Sequence, residues 1–89
     1  MADRRLQVFH TVARLLSFTK AAESLHMTQP AVTFQVRQLE EYFKTRLFDR
    51  THNRISLTDA GKRVYEYADQ IFDLYAKMDN AVRDMTGEI

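Results

Sequence analysis

A mainly α fold, with three short helices, one small β-hairpin and a long C-terminal helix, is what these 89 residues predict. Three observations predict it. Apolar residues recur at helical spacing along most of the chain, while two glycines, one proline and few β-branched runs leave little room for a larger sheet. The stretch from Thr19 to Arg37, TKAAESLHMTQPAVTFQVR, holds two short helical patterns on either side of a tight turn. A heptad-like apolar seam then runs through the last third of the chain.

Leu6, Phe9, Val12, Ala13 and Leu16 mark the first helix, from about Asp3 to Leu16, with Ser17–Phe18 as the connection. Thr19 is the expected N-cap of the second helix, whose apolar side is Ala21, Ala22 and Leu25. After a turn at His26–Met27, Thr28 caps a third helix reaching about Phe43. Pro30 falls in its first turn, where a missing N–H costs nothing. Val32, Val36, Leu39 and Phe43 form its core stripe, so Gln29, Thr33, Phe34, Arg37 and Gln38 face outward. Two helices, a short turn and a polar outer face on the second describe a helix-turn-helix, an arrangement that presents its second helix to a DNA major groove.

The segment LFDRTHNRISLT follows, with Leu47-Phe48 and Ile55-Ser56-Leu57 flanking a polar turn. It reads as a hairpin, a wing, which must pack on the helices to be stable. Thr58 caps the longest element, which runs to about Thr86 before Gly87 as the C′ residue. Val64, Ala68, Ile71, Tyr75, Met78, Val82 and Met85 recur at alternating spacings of four and three. Tyr67, Leu74 and Ala81 lie beside this seam, and Tyr65 and Phe72 on its other flank. That is more apolar surface than one helix needs to cover a small head. The expectation is a winged helix-turn-helix head over residues 1–58 and a linker (dimerisation) helix over 59–89. The inner turns of that helix cover the head and the rest pairs with another copy.

Composition narrows the chemistry. With no cysteine there is no disulfide and no thiolate metal site, and His10, His26 and His52 fit no local ligand spacing, so no metal is expected. No cofactor-binding motif is present. No apolar run approaches the ~20 residues that span a bilayer, and a cytoplasmic protein with no membrane partner is expected. The net charge of +1 is unevenly spread. Residues 1–57 hold nine Arg/Lys against five Asp/Glu, and residues 58–89 four against seven. A basic head on an acidic tail directs one face towards phosphate.

With those residues placed, the chain resembles the N-terminal DNA-binding domain of a LysR-type transcriptional regulator over nearly all of its length. The carrying features are LQVFHTVARLLSFTKAAESLHMTQPAVT, the LEEYF helix end, LFDR, and LTDAG opening the last helix. The resemblance implies a winged helix-turn-helix, a linker helix that dimerises and runs antiparallel to its partner, and a bacterial activator or repressor. Family members continue into a two-lobed α/β domain that senses a small-molecule effector and form higher oligomers. Nothing of that domain is in this sequence, so the chain reads as a fragment.

Carried over position by position, the base-reading residues fall on Gln29, Pro30, Thr33 and Phe34. Gln29 suits a bidentate contact to adenine, and Pro30 and Ala31 suit thymine methyls. Thr19, Lys20, Thr28 and Arg37 suit phosphates, which fix register without carrying sequence information directly. The wing resembles the family's arginine-bearing hairpin. Arg54 is its candidate for a narrow minor groove, with Arg50, Thr51 and Asn53 as backbone contacts. The expected site is thus an inverted-repeat operator on double-stranded DNA. Three positions depart from the family pattern. Phe34 stands where a basic residue is common, the wing tip His52-Asn53-Arg54 lacks the usual glycine with an arginine one place earlier, and Lys44 replaces a helix-ending glycine.

Two readings from other classes compete. Asp49 and Asp59 near His52 hint at acid–base chemistry, but no nucleophile elbow, phosphate loop or metal cluster accompanies them. A purely structural dimerisation module would explain the seam and leave the basic head idle. A winged helix of another regulator family is the nearest rival, but such proteins rarely place a Thr-Gln-Pro start before a C-terminal linker helix.

Overall fold

The computed structural model describes residues 3–87. The ends of the expected head and linker segments, residues 1–2 and 88–89, lie outside them. Six elements follow in chain order: α1 (Arg4–Leu15), α2 (Phe18–Leu25), α3 (Gln29–Phe43), β1 (Phe48–Thr51), β2 (Arg54–Leu57) and α4 (Asp59–Thr86). The architecture is the expected winged helix-turn-helix with a long terminal helix.

Local chemistry starts and stops these helices. Asp3 caps α1 by accepting the amides of Arg5 and Leu6, and the adjacent Arg5 guanidinium holds its carboxyl below the usual aspartate value. Thr28 caps α3 through the Ala31 amide, and Thr58 caps α4 through the Gly61 amide. α2 differs from expectation. Ser17, not Thr19, is its N-cap, accepting the Lys20 amide at 3.0 Å. The helix begins two residues early because Phe18, expected in the connection, is buried edge-on to Phe48 at 5.7 Å. α1, α2 and α3 all end in left-handed residues, Leu16, His26 and Lys44, and Gly87 does the same for α4. Leu16 therefore leaves the helix and is exposed, and Leu15 packs on the core in its place.

The head core is Val8, Phe9, Val12 and Ala13 from α1, Phe18, Ala21 and Ala22 from α2, Val32, Val36 and Leu39 from α3, and Leu47 and Phe48. Phe43 does not join it. At the last helical residue of α3 it is 43% exposed and meets Tyr42 edge-on, because the core ends one turn earlier.

The wing is a two-stranded antiparallel sheet pairing Phe48 with Leu57 and Thr51 with Arg54. His52 and Asn53 form its two-residue turn, both at positive φ, as a twist-matched hairpin turn requires. Its base is sewn to α3 and α4. A Glu40 carboxylate oxygen accepts the Leu47 amide at 2.8 Å, and the Thr58 hydroxyl donates to the Arg46 carbonyl at 2.7 Å.

α4 has two halves. Ala60, Val64 and Tyr65 pack on the head core and Ala68 is fully buried, so of the expected dimer seam Ala68 has no surface left to offer and Val64 is largely used. Farther out, Tyr67, Ile71, Leu74, Met78, Val82 and Met85 are exposed, and Tyr75 is half-buried. A helix of 28 residues is about 42 Å long, which agrees with the molecule's longest extent of 51 Å. Among the described residues, no helix is long and apolar enough to cross a membrane.

Candidate nucleic-acid interface

The first turn of α3 is presented because its core residues start at Val32. Upstream of it Gln29 and Pro30 are exposed, as are Phe34 and Arg37 farther along. Ala31 and Thr33 are half-buried. Thr33 turns towards the wing, lining a cleft with Phe18, Arg37, Phe48 and Arg50. Phe34 is 58% exposed on the open side of the helix.

Gln29 shares a single groove with α2 and the wing. The groove is lined by Ser17 and Thr19 at the start of α2, by Gln29, and by Arg50, Asn53 and Arg54 of the wing. The fold thus gathers residues from three separate stretches of sequence. Lys20, Thr28, Pro30 and Phe34 are not among the groove's lining residues. Thr51 is exposed and lines the outer side of the wing with Arg54 and Ser56. Arg54, the cross-strand partner of Thr51, borders both sides, whereas Arg50 lines the groove and not the outer side.

Two interactions pre-position these groups. The Arg50 guanidinium carbon lies 4.5 Å from the Phe18 ring centroid, a cation–π contact that limits its rotamers. The Thr28 hydroxyl accepts the Ala31 amide at 3.3 Å and keeps its own proton for an outside acceptor. The first turn of α3 contains no acidic residue, so its positive dipole end is uncompensated. Geometry and charge together suit a long polyanion lying across the groove.

Sequence reasoning missed Ser17, whose signal was a hydroxyl residue directly before an aromatic. It also missed Phe18 as the support for Arg50 and Glu40 as the clasp of the wing, because both act across sequence separations that periodicity does not see.

The head, wing and exposed helix define a winged helix-turn-helix protein. Residues 4–62 match the bacterial regulatory helix-turn-helix proteins of the lysR family, and the chain belongs to that family. The RuBisCO operon transcriptional regulator of Allochromatium vinosum is 43% identical over 84 residues, covering 94% of this chain and 28% of that protein. The HTH-type transcriptional regulator CfxR of Cupriavidus necator is 50% identical over 68 residues, 76% of this chain and 22% of that protein. The chain therefore spans about a quarter of the length of these relatives. Among solved structures, the BenM_DBD/catB site 1 DNA complex superposes with a TM-score of 0.90 at 29% identity, covering 100% of this chain and 99% of that one. The CbnR_DBD–DNA complex gives 0.85 at 34% identity, covering 97% and 99%.

Proposed function

We propose that this chain binds double-stranded DNA sequence-specifically, with α3 in the major groove and the wing tip in the adjoining minor groove. The observation that carries this reading is the single groove in which Gln29, Thr19, Arg50 and Arg54 converge. Gln29 reads a base edge, with Pro30, Ala31, Thr33 and Phe34 supplying apolar and hydroxyl contacts beside it. Arg54 enters the narrow groove, where the negative potential is strongest. Thr19, Lys20, Thr28, Arg37, Arg50, Thr51 and Asn53 hold phosphates and set the register. The two similar structures containing DNA support this reading.

The outer half of α4 pairs with a second copy, which puts two heads on an inverted repeat. Leu74, Met78 and Val82 lie on one exposed apolar stripe, more than an isolated helix keeps in water. In a regulator of its relatives' length, a further domain outside this chain takes up a small-molecule effector, supports a higher oligomer and makes the head an activator or repressor. Such a protein works in the cytoplasm and catalyses no reaction.

The test is a salt titration of duplex binding. Log K should fall linearly with log salt, by roughly 0.9 per phosphate neutralised. An affinity indifferent to salt contradicts the proposal.

A further inference from the structure

One cluster, none of whose residues lines the groove, joins α1 to α4. The His10 Nε2 lies 2.5 Å from an Asp69 carboxylate oxygen. Its ring stacks on Tyr65 with centroids 4.8 Å apart and planes 7° from parallel, and Phe72 meets it edge-on at 5.2 Å. Tyr65, Asp69 and Phe72 stand at i, i+4 and i+7, a single stripe of α4. One side chain of the head thus grips two turns of the long helix.

An aliphatic residue between Tyr65 and Phe72 would fill the same space but would let α4 roll and slide. The imidazole adds a directional bond at its ring edge and a flat stack on its face, which fix both motions. The base of α4 is held separately, where Thr58 bonds the Arg46 carbonyl and Gly61 lies against the Leu47 carbonyl. Two fixed points define a line, and the His10 cluster is the outer of the two. Beyond Phe72, α4 continues 14 residues to Thr86. At 1.5 Å per residue that lever is about 21 Å, so a tilt of about 10° at the cluster moves its far end by about 4 Å. That displacement is comparable with one base-pair rise of about 3.4 Å.

We propose that His10 is a positioning residue that sets the distance between the two half-sites a dimer can engage. This rests on the reading that outer α4 helices pair two DNA-binding heads. His10 touches no DNA; it acts by fixing the direction in which α4 leaves the head.

The experiment uses duplexes carrying two inverted half-sites moved apart one base pair at a time, plus a duplex with a single half-site. Wild type, His10→Ala and Asp69→Ala are titrated on each, with the mass of each protein measured in parallel. Asp69 is exposed, so its replacement removes the bond acceptor without opening the core. Wild-type affinity should peak at one spacing and fall by about tenfold or more beside it, because avidity is lost where both heads cannot engage together. Both variants should flatten that profile to a few-fold, with single half-site affinity and dimer mass unchanged. Combining them should flatten it no further than His10→Ala alone, since Asp69 acts through His10. Variants that keep the wild-type profile, or that lose equally at every spacing and on the single half-site, would overturn the proposal. A wild-type monomer would overturn the paired reading beneath it as well.

Discussion

The inner and outer halves of α4 carry the same alternation of apolar residues, yet they end in opposite states. Val64, Tyr65 and Ala68 are taken into the head, while Leu74, Met78, Val82 and Met85 of the same helix lie exposed. The difference lies in what is nearby. α1 and the hairpin base run alongside the first turns of α4, and the helix then outruns a head that is only a few turns long. Periodicity reports that a face is meant to be buried and is silent about the partner. An apolar stripe that continues past its own domain therefore points to a second molecule.

The largest effect expected from breaking this contrast is at the outer half. Met78→Asp or Ile71→Asp should abolish dimer formation, because an unpaired buried carboxylate costs several kcal/mol. Both side chains are exposed in the protomer, so the melting temperature of the head measured at low concentration should barely move. Sedimentation separates the two effects.

The inner half should respond in the opposite way. A β-carbon at Gly61 would sit 2.1 Å from the Leu47 carbonyl oxygen, which is already held by the Thr58 amide at 3.0 Å. Gly61→Ala should therefore destabilise the head by about 2 kcal/mol or more in denaturant unfolding, even though alanine favours helix. An unchanged midpoint would mean that α4 docks more loosely than described.

How much of this was legible in the sequence differs between elements. Thr28, Thr58, Lys44 and Gly87 were readable because a cap involves only the next few residues. Ser17 and Thr19 are both competent caps, and the choice falls to Phe18, whose burial against Phe48 is a tertiary fact. Phe43 continues the period of the α3 stripe, but the core does not extend beneath it. At the interface the sequence pattern showed which face of α3 is exposed. It could not show that Gln29 shares a groove with Thr19, Arg50 and Arg54, since only the docking of the wing brings them together. The His10–Asp69 pair spans 59 positions and left no local trace.

The head itself holds a second, smaller contrast, between reading and holding. Gln29→Ala should cost about 1–3 kcal/mol on a selected site and little on scrambled DNA, whereas Arg37→Ala should weaken both alike. Equal losses for Gln29→Ala on the two duplexes, measured by fluorescence anisotropy, would remove it from the base readers.

The smallest expected effect is at the end of α3. Lys44 has φ 57° and ψ 34°, a left-handed conformation that a β-carbon disfavours. Its ion pair with Glu41 is largely exposed and contributes little. Lys44→Gly should stabilise the domain by up to ~1 kcal/mol in thermal melts, the relief of strain outweighing the gain in unfolded-state entropy.

The central claim, that a basic head reads DNA and the outer half of α4 pairs two such heads, is tested most directly by selecting duplexes from a random pool with this chain alone. The enriched sequences should share one short motif repeated in inverted orientation, with centres about one helical turn apart or a multiple of it. A pool that stays random after repeated rounds, or that converges on one isolated motif with no inverted partner, would contradict the account.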